Sequence, residues 1–174
     1  GGYNSITNLI EGCSVQITGK IGYYYGSLQI TDINSDSQIS ILSPVDKNQI
    51  VTREEKISNI DDIYAYSKIG SLVTLHNLTV YDYNDSQNNS ATTLKCHYID
   101  ENGNQKQFNV RIAKEIALYD PITKKQISSG EYFVGKTFET ITGMLAYYNG
   151  ADKTPYSNGH MQLALSSMDD VIFK

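Results

Sequence analysis

The sequence predicts an all-β protein. Apolar residues recur mostly at every second position, the segments that do so are short and bounded by turn residues, and one such segment occurs twice. The 174 residues include 14 Lys+Arg and 19 Asp+Glu, for a net charge of -5, with 14 Tyr, no Trp, 3 His and 2 Cys. That length holds one ordinary domain, or one domain and part of another. With 40% hydrophobic and 19% charged residues, the chain is too apolar for disorder. No run approaches the ~18 apolar residues of a membrane-spanning helix. The acidic balance argues against strong non-specific binding of nucleic acid, which needs Lys and Arg to neutralise phosphates. Two Cys are too few for a disulfide scaffold. The chain opens with Gly1-Gly2 and no charged-then-apolar leader. A leading Gly is what tag removal leaves, so the start reads as a cut end with room upstream for a native signal peptide.

The repeat organises the chain. Ile17-Thr18-Gly19-Lys20-Ile21-Gly22-Tyr23-Tyr24-Tyr25-Gly26 matches Ile141-Thr142-Gly143-Met144-Leu145-Ala146-Tyr147-Tyr148-Asn149-Gly150 in register. The shared pattern is I-T-G-x-φ-x-Y-Y-x-G, φ being apolar. Leu28-Gln29-Ile30 then matches Met161-Gln162-Leu163, Asp36 matches Asp169, and Ile39 matches Ile172. Gly12 and Gly135 precede the motif with one residue's difference in spacing, and the second copy carries nine extra residues before Met161. The stretch 46–134 has no copy before residue 12. The chain therefore divides into 1–45, the C-terminal half of a module; 46–70, a partly helical linker; and 71–174, a complete module. The alternative is that 1–45 forms a hairpin docked on the complete module.

Each element follows from local pattern. Val15, Ile17, Gly19, Ile21 and Tyr23 alternate with polar or small neighbours, as do Ile141, Gly143, Leu145 and Tyr147. The Gly inside each strand suggests a bend at a barrel corner. Leu28–Ile33 and Gln38–Leu42 read as further strands. Thr52 followed by Glu55 is a capping-box pattern, which predicts a short helix from Arg53, with another helical turn in Asn59–Tyr66. Leu72–Tyr81 is a strand with a phase slip: a bulge near His76-Asn77 would bring Val73, Leu75, Leu78 and Val80 to one side. Tyr81–Ser90 reads as a polar loop. Leu94, Cys96 and Tyr98 alternate in one strand, and Phe108, Val110 and Ile112 in the next, joined by an Asn102-Gly103 turn. Ala113–Tyr119 is open between strand and helical turn.

Five strands with a break between the third and fourth is the plan of an OB-fold barrel, so the predicted class is an all-β, OB-fold-like five-stranded barrel preceded by a partial copy. The phrases G-S-L-V-T-L-H-N-L-T-V at 70–80 and V-Q-I-T-G-K-I-G-Y-Y-Y-G-S-L-Q-I at 15–30 resemble tandem OB-fold modules of bacterial secreted and lipid-anchored proteins. The resemblance implies fold and an extracellular or cell-surface location more than activity. Members are often labelled nucleic-acid-binding from fold alone.

Catalytic machinery is hard to assemble. His76, His97 and His160 fall in no H-E-x-x-H pattern, and no C-x-x-C or G-x-S-x-G occurs. Alternation sets Cys96 and His97 on opposite faces, giving a buried Cys96 and an exposed His97. Cys13 and Cys96 read as two free, small core residues; in an extracellular protein they could pair. Asp82, Asn84 and Ser86 have the start of an EF-hand spacing but lack its Gly and Glu, and Asp32, Asn34 and Asp36 fail likewise; both read as polar turns. No catalytic residue, metal or cofactor is assigned.

The outer face of the second and third module strands carries Lys95, His97, Asn109 and Arg111, where an OB-fold commonly takes its ligand. Tyr24 and Tyr148 hold equivalent outward positions in the repeat and are candidate platforms, with Tyr83 and Tyr119 as possible neighbours. A structural role for the repeated Tyr pairs, closing a barrel end, competes with that reading. The function expected is a non-catalytic binding or spacer module of a larger bacterial surface or secreted protein, joined to neighbouring domains, with an oligosaccharide or a protein as ligand. The alternative is a single-stranded nucleic-acid-binding OB domain accompanying a secreted nuclease. A β-sandwich glycan-binding domain would use the same alternation and exposed Tyr.

Overall fold

A computed structural model describes residues 9, 12–46, 48, 50–55, 68–86, 91–148, 150 and 160–174. The predicted helical turn at 59–66 lies outside them. The described chain is all-β: β1 (Ser14–Ile17), β2 (Lys20–Tyr24), β3 (Ser27–Thr31), β4 (Ile39–Ser43), β5 (Arg53–Glu54), β6 (Leu72–Asp85), β7 (Ala91–Ile99), β8 (Gln105–Ala113), β9 (Thr137–Tyr148), β10 (His160–Leu165) and β11 (Val171–Phe173). Short 3-10 turns lie at Asp36–Gln38, Gly130–Phe133 and Met168–Asp170.

Five strands close a ring. β6 pairs antiparallel with β7 and, through its first half, with β9; β7 pairs with β8; β8 runs parallel to β10; β10 returns to β9. A closed five-stranded ring with one parallel pair is OB-fold-like, and it sets aside the sandwich alternative. β11 extends β9 at its outer edge. Val73, Leu75, Leu78 and Val80 are all fully buried. Asn77, at φ 60, takes the left-handed conformation between the two pairs, and there the inward phase of β6 switches. The core-facing phase of the other strands supplies Leu94, Cys96, Val110, Ile112, Leu145 and Leu163. Phe133, from the turn between β8 and β9, is buried beside Phe138 and Phe173, whose own rings stack at 5.4 Å.

Several expectations are corrected. Arg53–Glu54 forms β5, parallel to Val73 and Thr74, rather than a helix. The Glu55 backbone N–H donates to Thr74 O and its carboxylate binds Lys68 Nζ at 3.0 Å, so the capping partner is held elsewhere. The strand β6 runs through Asp85, so Asp82 and Asn84 pair with Lys95 and Thr93 in a ladder rather than forming a loop. After Ala113 the chain makes neither strand nor helix but a turn closed by Ile116 N–H to Ala113 O. Cys13 is half-buried rather than in the core; both Cys are free, and burial pushes the Cys96 thiol up to about 12.

The two copies of the repeat fold alike. In the first, Tyr23 pairs with Leu28 and Ile21 with Ile30; in the second, Tyr147 pairs with Met161 and Leu145 with Leu163. Ile17 pairs with Ile39, and Ile141 with Val171, so the structural counterpart of Ile39 is Val171 rather than Ile172. The one-residue difference in spacing is absorbed by a bulge in β9, where Ile172 opposes Thr140 and Phe173 opposes Phe138. The interior glycines serve a common purpose. A Cβ on Gly19 would lie 2.6 Å from Thr31 O, and one on Gly143 would lie 2.6 Å from Ala164 O, so a neighbouring backbone occupies the side-chain space in both. That close approach requires a glycine in each copy, at the point where the strand passes from one pairing partner to the next.

Candidate functional site

Alternation along β7 and β8 sets Lys95, His97, Asn109 and Arg111 on the outer side of the barrel, and the register pairs Lys95 with Asn109 and Thr93 with Arg111. Lys95 is engaged: its Nζ lies 2.6 Å from Asp82 Oδ2 on β6. That hydrogen bond raises the Lys95 pKa and lowers that of Asp82. His97 is half-buried rather than exposed, with its ring 5.9 Å from that of Tyr81. Asn109 Nδ2 lies 3.0 Å from His160 Nε2 on β10. Burial lowers the His160 pKa, so at neutral pH its imidazole is uncharged and Nε2 is able to accept from the amide.

Arg111 faces a different place. It lines a groove of about 570 Å³ between the β2–β3 hairpin and the β9–β10 side of the barrel, together with Tyr24, Tyr25, Gln29, Tyr148 and the buried Gln162. Aromatic rings follow one another from His160, behind Tyr148, into this groove. His160 meets Tyr148 at 5.9 Å, Tyr148 meets Tyr25 at 5.6 Å, and Tyr25 meets Tyr24 at 4.5 Å. The Tyr24–Tyr25 and Tyr148–His160 rings meet edge to face and the Tyr25–Tyr148 pair is tilted, contacts that hold a partly exposed apolar surface in shape.

The hairpin geometry that presents Tyr25 is unusual for its side chain. Tyr24 pairs with Ser27, leaving a two-residue turn in which Tyr25 has φ 47 and Gly26 φ 79. Both central residues at positive φ define the type I′ turn, which favours Asn or Gly. A tyrosine there costs about 1–2 kcal/mol relative to residues at ease in this region. The second copy has Asn149-Gly150 at these positions. The bulky residue is therefore in the first copy only, and its ring is the one that bridges Tyr24 and Tyr148.

Of the six residues singled out from sequence, Arg111, Tyr24 and Tyr148 meet at the groove, Asn109 adjoins it through His160, and Lys95 and His97 lie across the sheet on β7. Tyr83 packs against the core near Gly130 and Tyr119 lies under Lys124, so neither joins the platform. Tyr25, His160, Gln29 and Gln162 were missed. The Tyr25-Gly26 pair standing where the repeat has Asn149-Gly150 was the available signal. A second hollow, about 520 Å³, is lined by Asp120, Lys125 and Tyr132. Its acidic group is occupied by the Tyr132 hydroxyl, which holds Asp120 down to about 2. Among the described residues no three His, Cys, Asp or Glu side chains group as metal ligands. No family model, curated protein or solved structure matches the chain. The groove is accordingly judged on its own chemistry.

Proposed function

We propose that this chain is a non-catalytic binding module and that the groove between the β2–β3 hairpin and β9–β10 takes an oligosaccharide. The observation that carries the reading is the run of Tyr24, Tyr25 and Tyr148 rings, ending at His160, beside the Gln29 and Gln162 amides and the Arg111 guanidinium. The C–H faces of sugar rings stack on aromatic rings, and amides and guanidinium groups bond the flanking hydroxyls. OB-fold barrels are used for oligosaccharides as well as oligonucleotides. A polyanionic ligand fits less well. The chain carries a net charge of -5, and Lys95 is already paired with Asp82. The surface or secreted location, as part of a larger bacterial protein, rests on the sequence resemblance alone.

The test is calorimetric titration with a panel of neutral oligosaccharides four to six sugars long. Binding is expected, and Tyr148→Ala weakens it about tenfold or more, as loss of a central aromatic anchor does. No sugar binding, together with salt-sensitive binding of a single-stranded oligonucleotide at ~50 mM salt, overturns the reading in favour of nucleic acid.

A further inference from the structure

The chain has 19 acidic against 14 basic residues, so carboxylates are in excess. Lys20, Lys68, Lys95 and Lys124 each reach one at 3.0 Å or less. Arg111 does not. It is half-buried in the groove, and among the described residues its guanidinium makes no ion pair and no hydrogen bond. The described residues that line the groove include no Asp or Glu. A cation that loses part of its hydration without gaining a counter-charge destabilises the fold, and a bound anion offsets that cost.

Gln162 is a second group without a partner. It is 7% exposed, and among the described residues its amide makes no hydrogen bond. Buried amides are ordinarily bonded, so this one is free for a ligand. Gln162 pairs with Asn109 and Ala164 with Arg111, which makes Gln162 and Arg111 diagonal neighbours on the outer face of β10 and β8. A carboxylate accepts two parallel N–H groups from a guanidinium and has lone pairs left for an amide.

We propose that the groove selects an acidic oligosaccharide, whose single uronic or sialic carboxylate pairs with Arg111 and accepts from the Gln162 amide. This inference rests on the oligosaccharide reading and narrows it. The remaining lining favours one charge over many. Tyr24 with Gln29, and Tyr148 with Gln162, hold equivalent positions in the two repeat copies. The groove thus offers two matched sets of ring and amide but one cation. The ring-and-amide sets suit neutral sugar units, and a polyanion would present further charges with nothing to neutralise them.

The experiment is calorimetric titration of the 174-residue chain at ~150 mM salt, where long-range attraction is screened. Two pairs of sugars are used: xylotetraose with and without one glucuronic acid branch, and lacto-N-tetraose with and without one terminal sialic acid. In one pair or the other, the acidic member is expected to bind about tenfold more tightly than the neutral one, as a charge-assisted bidentate contact provides. The pair that responds distinguishes a uronic from a sialic acid. Arg111→Gln should abolish the preference. Arg111→Lys, which keeps the charge but loses the planar fork, should retain part of it. Equal affinity within both pairs, or a preference that survives Arg111→Gln, overturns the inference and leaves the oligosaccharide reading standing. Binding of none of the four sugars overturns both.

Discussion

Ile21 and Leu145 sit at the same register position of two hairpins built from the same motif, each opposite an aliphatic partner and two residues from a tyrosine pair. One is mostly in water and the other is sealed in a core. Local pattern thus specifies strand, turn and pairing, and the neighbouring strands decide whether the pattern stabilises anything. Burying such a side chain contributes about 1.5–3 kcal/mol, so the second copy gains from every position at which the first gains little.

The largest expected contrast tests this at its centre. Leu145→Ala is expected to cost about 2–5 kcal/mol in urea unfolding, as a cavity in a packed core does. Ile21→Ala in the same 174-residue chain should stay within about 0.5 kcal/mol. Equal losses would mean that the first copy is buried after all. A smaller contrast comes from the paired glycines. Gly143→Ala pushes a methyl into the Ala164 carbonyl and is expected to cost about 1–3 kcal/mol, whereas Gly19→Ala meets the same clash with Thr31 but should leave the main unfolding transition where it is. The smallest effect belongs to the complete barrel and is lost in acid. Asp120 is held at about 2, first by the Tyr132 hydroxyl and then by backbone N–H groups. Its folded pKa lies below the unfolded value of ~3.9, so its contribution is present above pH ~4 and fades as the pH falls toward 2. Thermal melts should show Asp120→Asn less stable than wild type at pH 6, the gap closing by pH 2.

Much of this was legible in the residues. Alternation gave the strands because one face of each is buried, and the repeat gave a correspondence between copies that the pairing follows, Tyr23 with Leu28 as Tyr147 with Met161. The slip in β6 was readable because four apolar residues of two parities must share one core. The false helix at Arg53 shows the limit: a Thr–Glu pair offers a cap, but the edge of β6 offers backbone partners that the local sequence does not record. The site was read in fragments for a similar reason. Tyr24, Tyr148 and Arg111 come from three strands, and the groove they share depends on how a hairpin lies against a barrel, which no local spacing encodes. Lys95 looked available until β6 brought Asp82 against it.

The seam between β6 and β9 also governs how the barrel comes together in time. Its threonine pairs, Thr74 with Thr142 and Thr79 with Thr137, join residues 68 and 58 apart in sequence. The β6–β7–β8 meander needs only short loops, so it forms on local contacts, while the seam waits for the long connection to be gathered in. Until that happens both flanking strands expose unpaired backbone, and crowded conditions favour pairing between molecules over closure within one. Closure of the seam within one molecule therefore competes best at low concentration.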